Sequence, residues 1–261
     1  EYSIPLYGSK KTISERIRKK LLYETFTFTK LGREIKIKDY RFDYIFEKIK
    51  MENDFYEHEL LDEIHRRLRG ENSILIDVGG HIGNHTIYFL KVCDFKKSYI
   101  FEPRKELIAL ISENANLNNL KTKVVINKCG IEAISSVEKR LSFEKRKDYN
   151  FGTGKIIERP GEINVSTIDN LFCDVGEKIS VVKIDVEGLE QNVLAGARET
   201  IKKHTPIIAI ESQLKTEDLV AHAKARQTLS DEVGDNYDIV FCYGATPGPY
   251  TYIFVPKVVN L

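Results

Sequence analysis

Ser73-Ile74-Leu75-Ile76-Asp77-Val78-Gly79-Gly80-His81-Ile82-Gly83 decides how the rest of the chain is read. An apolar strand runs into a turn with three glycines, and a helix is predicted from about 84 to 92. Glycine lets backbone approach a ligand closely, and a helix N-terminus turns its free N–H groups toward one. Working outward, SYIFE, a helix from about 105 to 117, KVVIN, ISVVKID, a helix from about 188 to 203 and PIIAIES continue the alternation. Apolar strands alternating with helices imply a parallel sheet covered on both faces. YDIVFCY and YTYIFVP are joined by GATPGP, a connection of hairpin length, so the last strand is expected to run antiparallel to its neighbour.

Upstream, Asn53 to Leu68 places Phe55, Leu60, Leu61, Ile64 and Leu68 on one helical face, and Gly70 ends it. FTFTKLGREIKIKDY alternates apolar and polar residues on both sides of Gly32, the pattern of a small hairpin. Residues 10–23 carry Ile13, Ile17, Leu21 and Leu22 at helical spacing opposite basic residues. The expected organisation is an N-terminal helix-hairpin-helix extension over residues 1–70 and an α/β domain over residues 71–261. Residues 131–166 are charged and irregular, with strands expected near 138–144 and 155–158. An insertion of that length in an α/β domain is usually functional or disordered.

A chain of 261 residues, 42% hydrophobic and 30% charged, can bury a full core. Forty basic against 39 acidic residues leave a net charge of +1, which removes the broad positive field that collects nucleic-acid phosphates. No nucleic-acid partner is expected. Cys93, Cys129, Cys173 and Cys242 never form CxxC, which argues against a zinc knuckle or a disulfide framework and fits a reducing, cytoplasmic setting. No apolar run approaches the ~18 residues of a membrane span, and the N-terminus lacks a signal-peptide pattern. Glu1 in place of a methionine points to a piece trimmed from a longer chain.

The chemistry gathers at the expected carboxyl ends of the strands. Gly79, Gly80 and Gly83 form DxGGxxG behind Asp77, a spacing that by itself suits a nucleotide cofactor or a tight turn equally. Glu102 ends the next strand ahead of Pro103, where a carboxylate can accept from both hydroxyls of an adenosine ribose; helix capping would explain it alone but not the pairing with the glycine loop. In Lys183-Ile-Asp-Val-Glu-Gly-Leu-Glu190, charges interrupt an apolar run just where a central strand leaves the sheet. Asp185 and Glu187 are expected to face the cofactor crevice, whereas Glu190 also suits the N-terminus of the following helix. Glu211 ends the next parallel strand at the same edge.

IDVGGHIGNHTIYFL, FEPRKELIALISENANLNN, VSTIDNL, KIDVEGLEQNVLAGA and PIIAIES, in this order and spacing, resemble the FkbM-type family of S-adenosylmethionine-dependent O-methyltransferases. The resemblance runs from about Asp54-Phe55-Tyr56-Glu57 to Ser212. It implies a Rossmann-like class I methyltransferase fold: a mostly parallel sheet with a C-terminal antiparallel hairpin strand and helices on both faces. It also implies S-adenosylmethionine as cofactor and methylation of a hydroxyl, often on a sugar. The implied cofactor-binding set is Tyr56, Asp77, Gly79, Gly80, Gly83, Asn84, Glu102, Pro103, Asn118, Cys129 and Gly130, with Asn114 beside the adenosine end. For Cys129, a place in the apolar core is an equal alternative. The chain departs from the family locally, with Gly80-His81 where Ala-Asn is common.

A sugar hydroxyl becomes a good nucleophile when a base removes its proton or a divalent metal lowers its pKa. The expected catalytic set is Asp185 with Glu187 or Glu211 to hold or deprotonate the acceptor, supported by Lys183 or His81. Whether these carboxylates also bind a divalent metal is left open. The expected acceptor is a sugar, nucleotide-linked or a polysaccharide precursor, and FEKRKDYNFGTGKIIER is a candidate cover for it. An NAD(P)-dependent oxidoreductase would share the glycine loop and Glu102, but the YxxxK pattern at Tyr44 and Lys48 precedes the loop. A nucleic-acid methyltransferase lacks support from charge and has no NPPY-like string.

Overall fold

The computed structural model describes residues 22–68, 72–131, 140–145, 154–157, 163–186, 188–212, 219–244 and 250–257. The helix expected over residues 10–23 lies outside these but for its last two residues, and Tyr23 already belongs to a strand. Glu187 and Tyr149 also lie outside the described residues.

β1 (Tyr23–Lys30) and β2 (Arg33–Tyr40) pair antiparallel as the predicted hairpin, turning at Leu31 and Gly32, both with positive φ. α1 (Tyr44–Glu52) follows, capped by the Asp43 side chain, then α2 (His58–Arg67) within the predicted span. The periodicity that reveals α2 is missing from α1, which is short and buries only Phe46 and Ile49. The βα alternation then runs as read: β3 (Ile74–Val78), α3 (Asn84–Lys91), β4 (Lys97–Phe101), α4 (Lys105–Leu117) and β5 (Val124–Asn127). The insertion adds β6 (Gly130–Ile131), β7 (Arg140–Lys145), β8 (Gly154–Ile157) and β9 (Ile163–Ser166), ordered β6-β9-β7-β8 in their own sheet. After α5 (Ile168–Phe172) comes β10 (Ile179–Ile184).

The helix expected over 188–203 is two helices, α6 (Glu190–Ala195) and α7 (Arg198–His204). The chain breaks at Gly196 because the Asp169 carboxylate accepts from Glu199 N at 3.1 Å and Thr200 N at 2.8 Å, satisfying the open N–H groups of α7. β11 (Ile207–Ser212) leads to α8 (Leu219–Val233), which the sequence reading did not foresee, and β12 (Tyr237–Gly244) and β13 (Tyr250–Pro256) close the chain.

The main sheet runs β12-β13-β11-β10-β3-β4-β5, with β13 antiparallel to both neighbours and the other pairings parallel. This is the class I methyltransferase sheet expected from the sequence. The chain steps outward from β3 to β4 and β5, then crosses to β10, so a crevice opens at the carboxyl ends of β3 and β10. Period-two alternation divides the sheet residues between two cores. Leu75, Val181, Ala209 and Ile253 pack with the hairpin, α1, α2 and α3, while Ile76, Val182, Ile208 and Phe254 pack with α5 to α8.

The hairpin is fastened by two amides one helical turn apart on α4. Asn114 Oδ1 accepts from Lys38 N at 2.7 Å and its Nδ2 donates to Lys38 O at 3.0 Å; Asn118 makes the equivalent pair with Lys36 at 3.0 and 2.6 Å. The two side chains thereby mimic a strand against the outer edge of β2. Asn114→Ala is expected to destabilise the protein by about 2–4 kcal/mol, since it strands Lys38 backbone groups and the Ile82 carbonyl that Asn114 Nδ2 also reaches. Urea denaturation of the variant measures this directly.

Candidate active site

Three strand ends build the crevice. Gly79 leaves β3 at φ +79, and a Cβ there would lie 1.8 Å from Asp185 O, so the glycine loop and the end of β10 touch backbone to backbone. Gly80 packs against Ile100 of β4, and Gly83, at φ +84, opens α3. Only glycine allows this approach at Gly79.

Lys183 stands at the centre on β10. Its ammonium donates to Gly79 O at 2.8 Å and lies 3.3 Å from Asp185 Oδ2 and 3.6 Å from Asp77 Oδ1. Burial opposes its charge, but Asp185, Asp77, Glu57 and Glu211 more than offset this and raise its pKa. Asp77, 1% exposed, also accepts from Thr86 Oγ1 at 2.8 Å. Its carboxylate thus braces the loop and the lysine from beneath.

Asp185 faces the opening, with 34% of its side-chain surface accessible. Burial alone would raise its pKa; the Lys183 charge and a side-chain hydrogen bond with Glu211 win and lower it. Asp185 and Glu211 thus stand as neighbouring carboxyl groups at the ends of β10 and β11. Tyr56 lies beside them, its phenol kept protonated by burial and by Glu57, Glu211 and Asp185. Tyr44 extends this aromatic wall outward, its ring 6.5 Å from that of Tyr56.

The sequence reading missed two residues here. His85 Nε2 lies 3.2 Å from Glu57 Oε2, and the side chains are 9% and 12% exposed. The contact is short but angled away from a good hydrogen bond, since Nε2 has no partner that meets hydrogen-bond geometry. His85 lies near enough to interact with Asp185, so this histidine–carboxylate pair belongs to the same pocket. His85 was legible only as part of the apolar-looking helix GNHTIYFL. Glu57 sits in a turn with φ +59, where no pattern exposes it.

His81 is half-buried, yet neither ring nitrogen touches solvent or a partner. Burial, with Arg104 adding to it, lowers its pKa to about 3, so the ring is neutral at physiological pH. An unfolded histidine takes up a proton near pH 6.5, so between about pH 6.5 and 3 the unfolded state binds one proton more than the folded state. Stability therefore falls as pH drops through that window, by at most about 1.4 kcal/mol per pH unit from this group. Urea unfolding of His81→Asn at pH 7 and 4.5 is expected to show a shallower loss than the parent.

Glu102, 2% exposed, ends β4 and accepts from His81 N at 3.3 Å, Arg104 N at 3.0 Å and the Arg104 guanidinium. Pro103 is half-buried between them, and Asn84 donates to Tyr56 O at 3.1 Å while its Oδ1 lacks a partner. Gly130 is buried in β6, and Cys129 packs against the core of the opposite sheet face. Asn118 is 3% exposed and spends both of its amide atoms on β2 and α4. Glu190 accepts from Gly188 N at 2.9 Å, the helix-end role weighed for it above. Among the described residues, three ligand-type side chains converge only at Asp54, His58 and Asp62, where Lys30 already lies 2.7 and 2.8 Å from the two aspartates.

A family model described as the methyltransferase FkbM domain matches residues 77–237, more than half of the chain, including the crevice residues from Asp77 to Glu211. The chain belongs to the FkbM methyltransferase domain family. This FkbM domain is similar to the hexuronic acid methyltransferase AglP of Haloferax volcanii, 29% identical over 62% of this chain and 66% of that protein. It is also similar to methyltransferase 1 of Beauveria bassiana, 24% identical over 48% of this chain and 59% of that protein. The chain thus spans about three fifths to two thirds of the curated relatives it matches. Among solved structures, the FkbM methyltransferase of Methylobacillus flagellatus aligns over 71% of this chain and 44% of its own at 20% identity, with a TM-score of 0.46. No helix among the described residues is long and apolar enough to cross a membrane.

Proposed function

We propose that this FkbM domain is an O-methyltransferase that moves the methyl group of S-adenosylmethionine to a sugar hydroxyl, on a nucleotide-linked sugar or a polysaccharide precursor. The observation that carries the reading is the Asp185 carboxylate facing the opening, 3.3 Å from the buried Lys183 ammonium that also donates to Gly79 O of the glycine loop. The Haloferax relative, named for a hexuronic acid, supports a sugar as acceptor.

The crevice fits the cofactor. The orphaned ring nitrogens of His81 and Oδ1 of Asn84 lack partners beside the loop, as polar groups of an amino-acid moiety would supply, and Glu102 suits a ribose diol. Bound there, the sulfonium supplies a methyl group that needs no acid to activate its departure. The protein is left with orientation and one proton. Asp185 accepts the acceptor hydroxyl's hydrogen bond and fixes its direction, while Lys183 keeps Asp185 ionised. The hydroxyl proton passes to the Asp185 carboxylate or to His85, whose imidazolium Glu57 would stabilise. Tyr56 and Tyr44 offer aromatic faces to the sugar ring.

Incubation with isotopically labelled S-adenosylmethionine and a panel of nucleotide-linked sugars tests the reading. Label is expected in a product stable to mild alkali, as a methyl ether is. Label recovered only as an alkali-labile ester, or no transfer to any sugar, would refute the hydroxyl-acceptor reading.

A further inference from the structure

Glu102 offers four lone-pair positions on its two carboxylate oxygens. Arg104 N and His81 N take one on each oxygen through the backbone. Arg104 Nε takes the second on Oε1 at 2.9 Å, and Arg104 Nη2 the second on Oε2 at 3.3 Å. The guanidinium fork therefore occupies one position on each oxygen, the two that a ribose 2′,3′-diol would need. With the carboxylate 2% exposed and the Arg104 side chain 16% exposed, no vacant lone pair faces the crevice.

We infer that Arg104 sets the affinity for the adenosine cofactor by standing in for its ribose diol. The inference rests on the reading of Glu102 as the ribose acceptor. The bidentate pair satisfies a carboxylate that would otherwise be buried without enough partners. Cofactor binding exchanges two charge-assisted N–H donors on Glu102 for two O–H donors and releases the guanidinium from that carboxylate. The two backbone donors stay in place throughout and hold the carboxylate in position. Only the unlatched fraction of molecules can accept a ribose, so the apparent Kd is the intrinsic Kd divided by that fraction.

The test is calorimetric binding of S-adenosylhomocysteine and of its 2′,3′-dideoxy analogue to the parent protein and to Arg104→Ala, Arg104→Gln and Glu102→Gln. Both Arg104 variants are expected to bind S-adenosylhomocysteine about tenfold more tightly than the parent. They should bind the dideoxy analogue no differently, because a ligand without the diol does not need the fork displaced. The Arg104 variants should also melt below the parent without ligand and regain the difference when saturated, which separates a lost latch from a damaged fold. Unchanged or weaker S-adenosylhomocysteine binding by both Arg104 variants would overturn the inference, since the guanidinium would then be a bystander or a direct cofactor contact. Glu102→Gln is expected to weaken S-adenosylhomocysteine but not the analogue. If it weakens neither, the ribose reading itself is at fault, whatever the Arg104 variants do.

Discussion

Gly79→Ala is expected to lower the melting temperature by about 8–16 °C and to abolish S-adenosylhomocysteine binding. The new Cβ would lie 1.8 Å from Asp185 O and 2.9 Å from its carbonyl carbon. Both are backbone atoms and cannot rotate aside. Relief requires the end of β3 to move away from the end of β10. That breaks the last rung between them, Asp185 N to Val78 O at 3.0 Å, and the Lys183 bond to Gly79 O. The left-handed backbone at Gly79 adds about 1–2 kcal/mol for any residue with a side chain. Together these place the variant in the range above about 4 kcal/mol that marks overpacking with loss of a buried network. At about 2–4 °C per kcal/mol for a chain of this size, the shift follows. Gly83→Ala is the internal control. Its Cβ meets only Ile111 atoms at 3.6 Å or more, so it should cost little beyond the φ strain. If thermal denaturation ranks the two variants equally, the tight junction at the crevice floor is wrong.

That junction also shows what the sequence could and could not reveal. DxGGxxG announces a loop that needs glycine, and the apolar runs around it announce buried parallel strands; both follow from local rules of space and period, and both were legible. The job of each polar residue was not local. Asp77 and Glu102 look alike on paper, each a carboxylate at a strand end. Asp77 is turned beneath the loop to Thr86 and Lys183, while Glu102 turns to the crevice rim and Arg104. Asn118 enters the expected cofactor set only through the family resemblance. Its partner is β2, a strand 82 residues earlier whose register no helix periodicity encodes. Glu57 and His85 come from separate elements and meet only because α2 and α3 pack in one core. α8 was missed for the same reason: its buried residues Leu229 and Val233 lie on a mostly polar sequence, and tertiary packing makes it a helix face.

Asp185→Asn should lower kcat by about two to four orders of magnitude while leaving S-adenosylhomocysteine affinity within about twofold. Asparagine keeps the shape of the side chain and its backbone contact with Gly79, so the cofactor loop is undisturbed. It cannot keep the charge. In the parent, Lys183 and Glu211 lower the Asp185 pKa and keep its carboxylate ionised. The amide can donate to Glu211 but offers the acceptor hydroxyl a neutral oxygen and takes no proton from it. The pH dependence separates this from mere misplacement. Asp185 has a folded pKa below its unfolded value, so its stabilising contribution is complete above the ordinary aspartate pKa near 4 and is lost as pH falls through the lower folded value. With a third of the side chain accessible, solvent screening keeps that contribution small. The acid limb of kcat should behave likewise, falling in the parent as Asp185 gains a proton and flattening in Asp185→Asn. Glu211→Gln should retain the acid limb with a smaller loss of kcat, because Lys183 still holds Asp185 ionised without its neighbour. Rapid-quench turnover with the sugar acceptor found in the labelled screen, read from neutral pH down to below the ordinary aspartate pKa near 4, checks both variants. Full turnover by Asp185→Asn, or a raised KM with unchanged kcat, would leave His85 and Glu57 as the groups that move the proton.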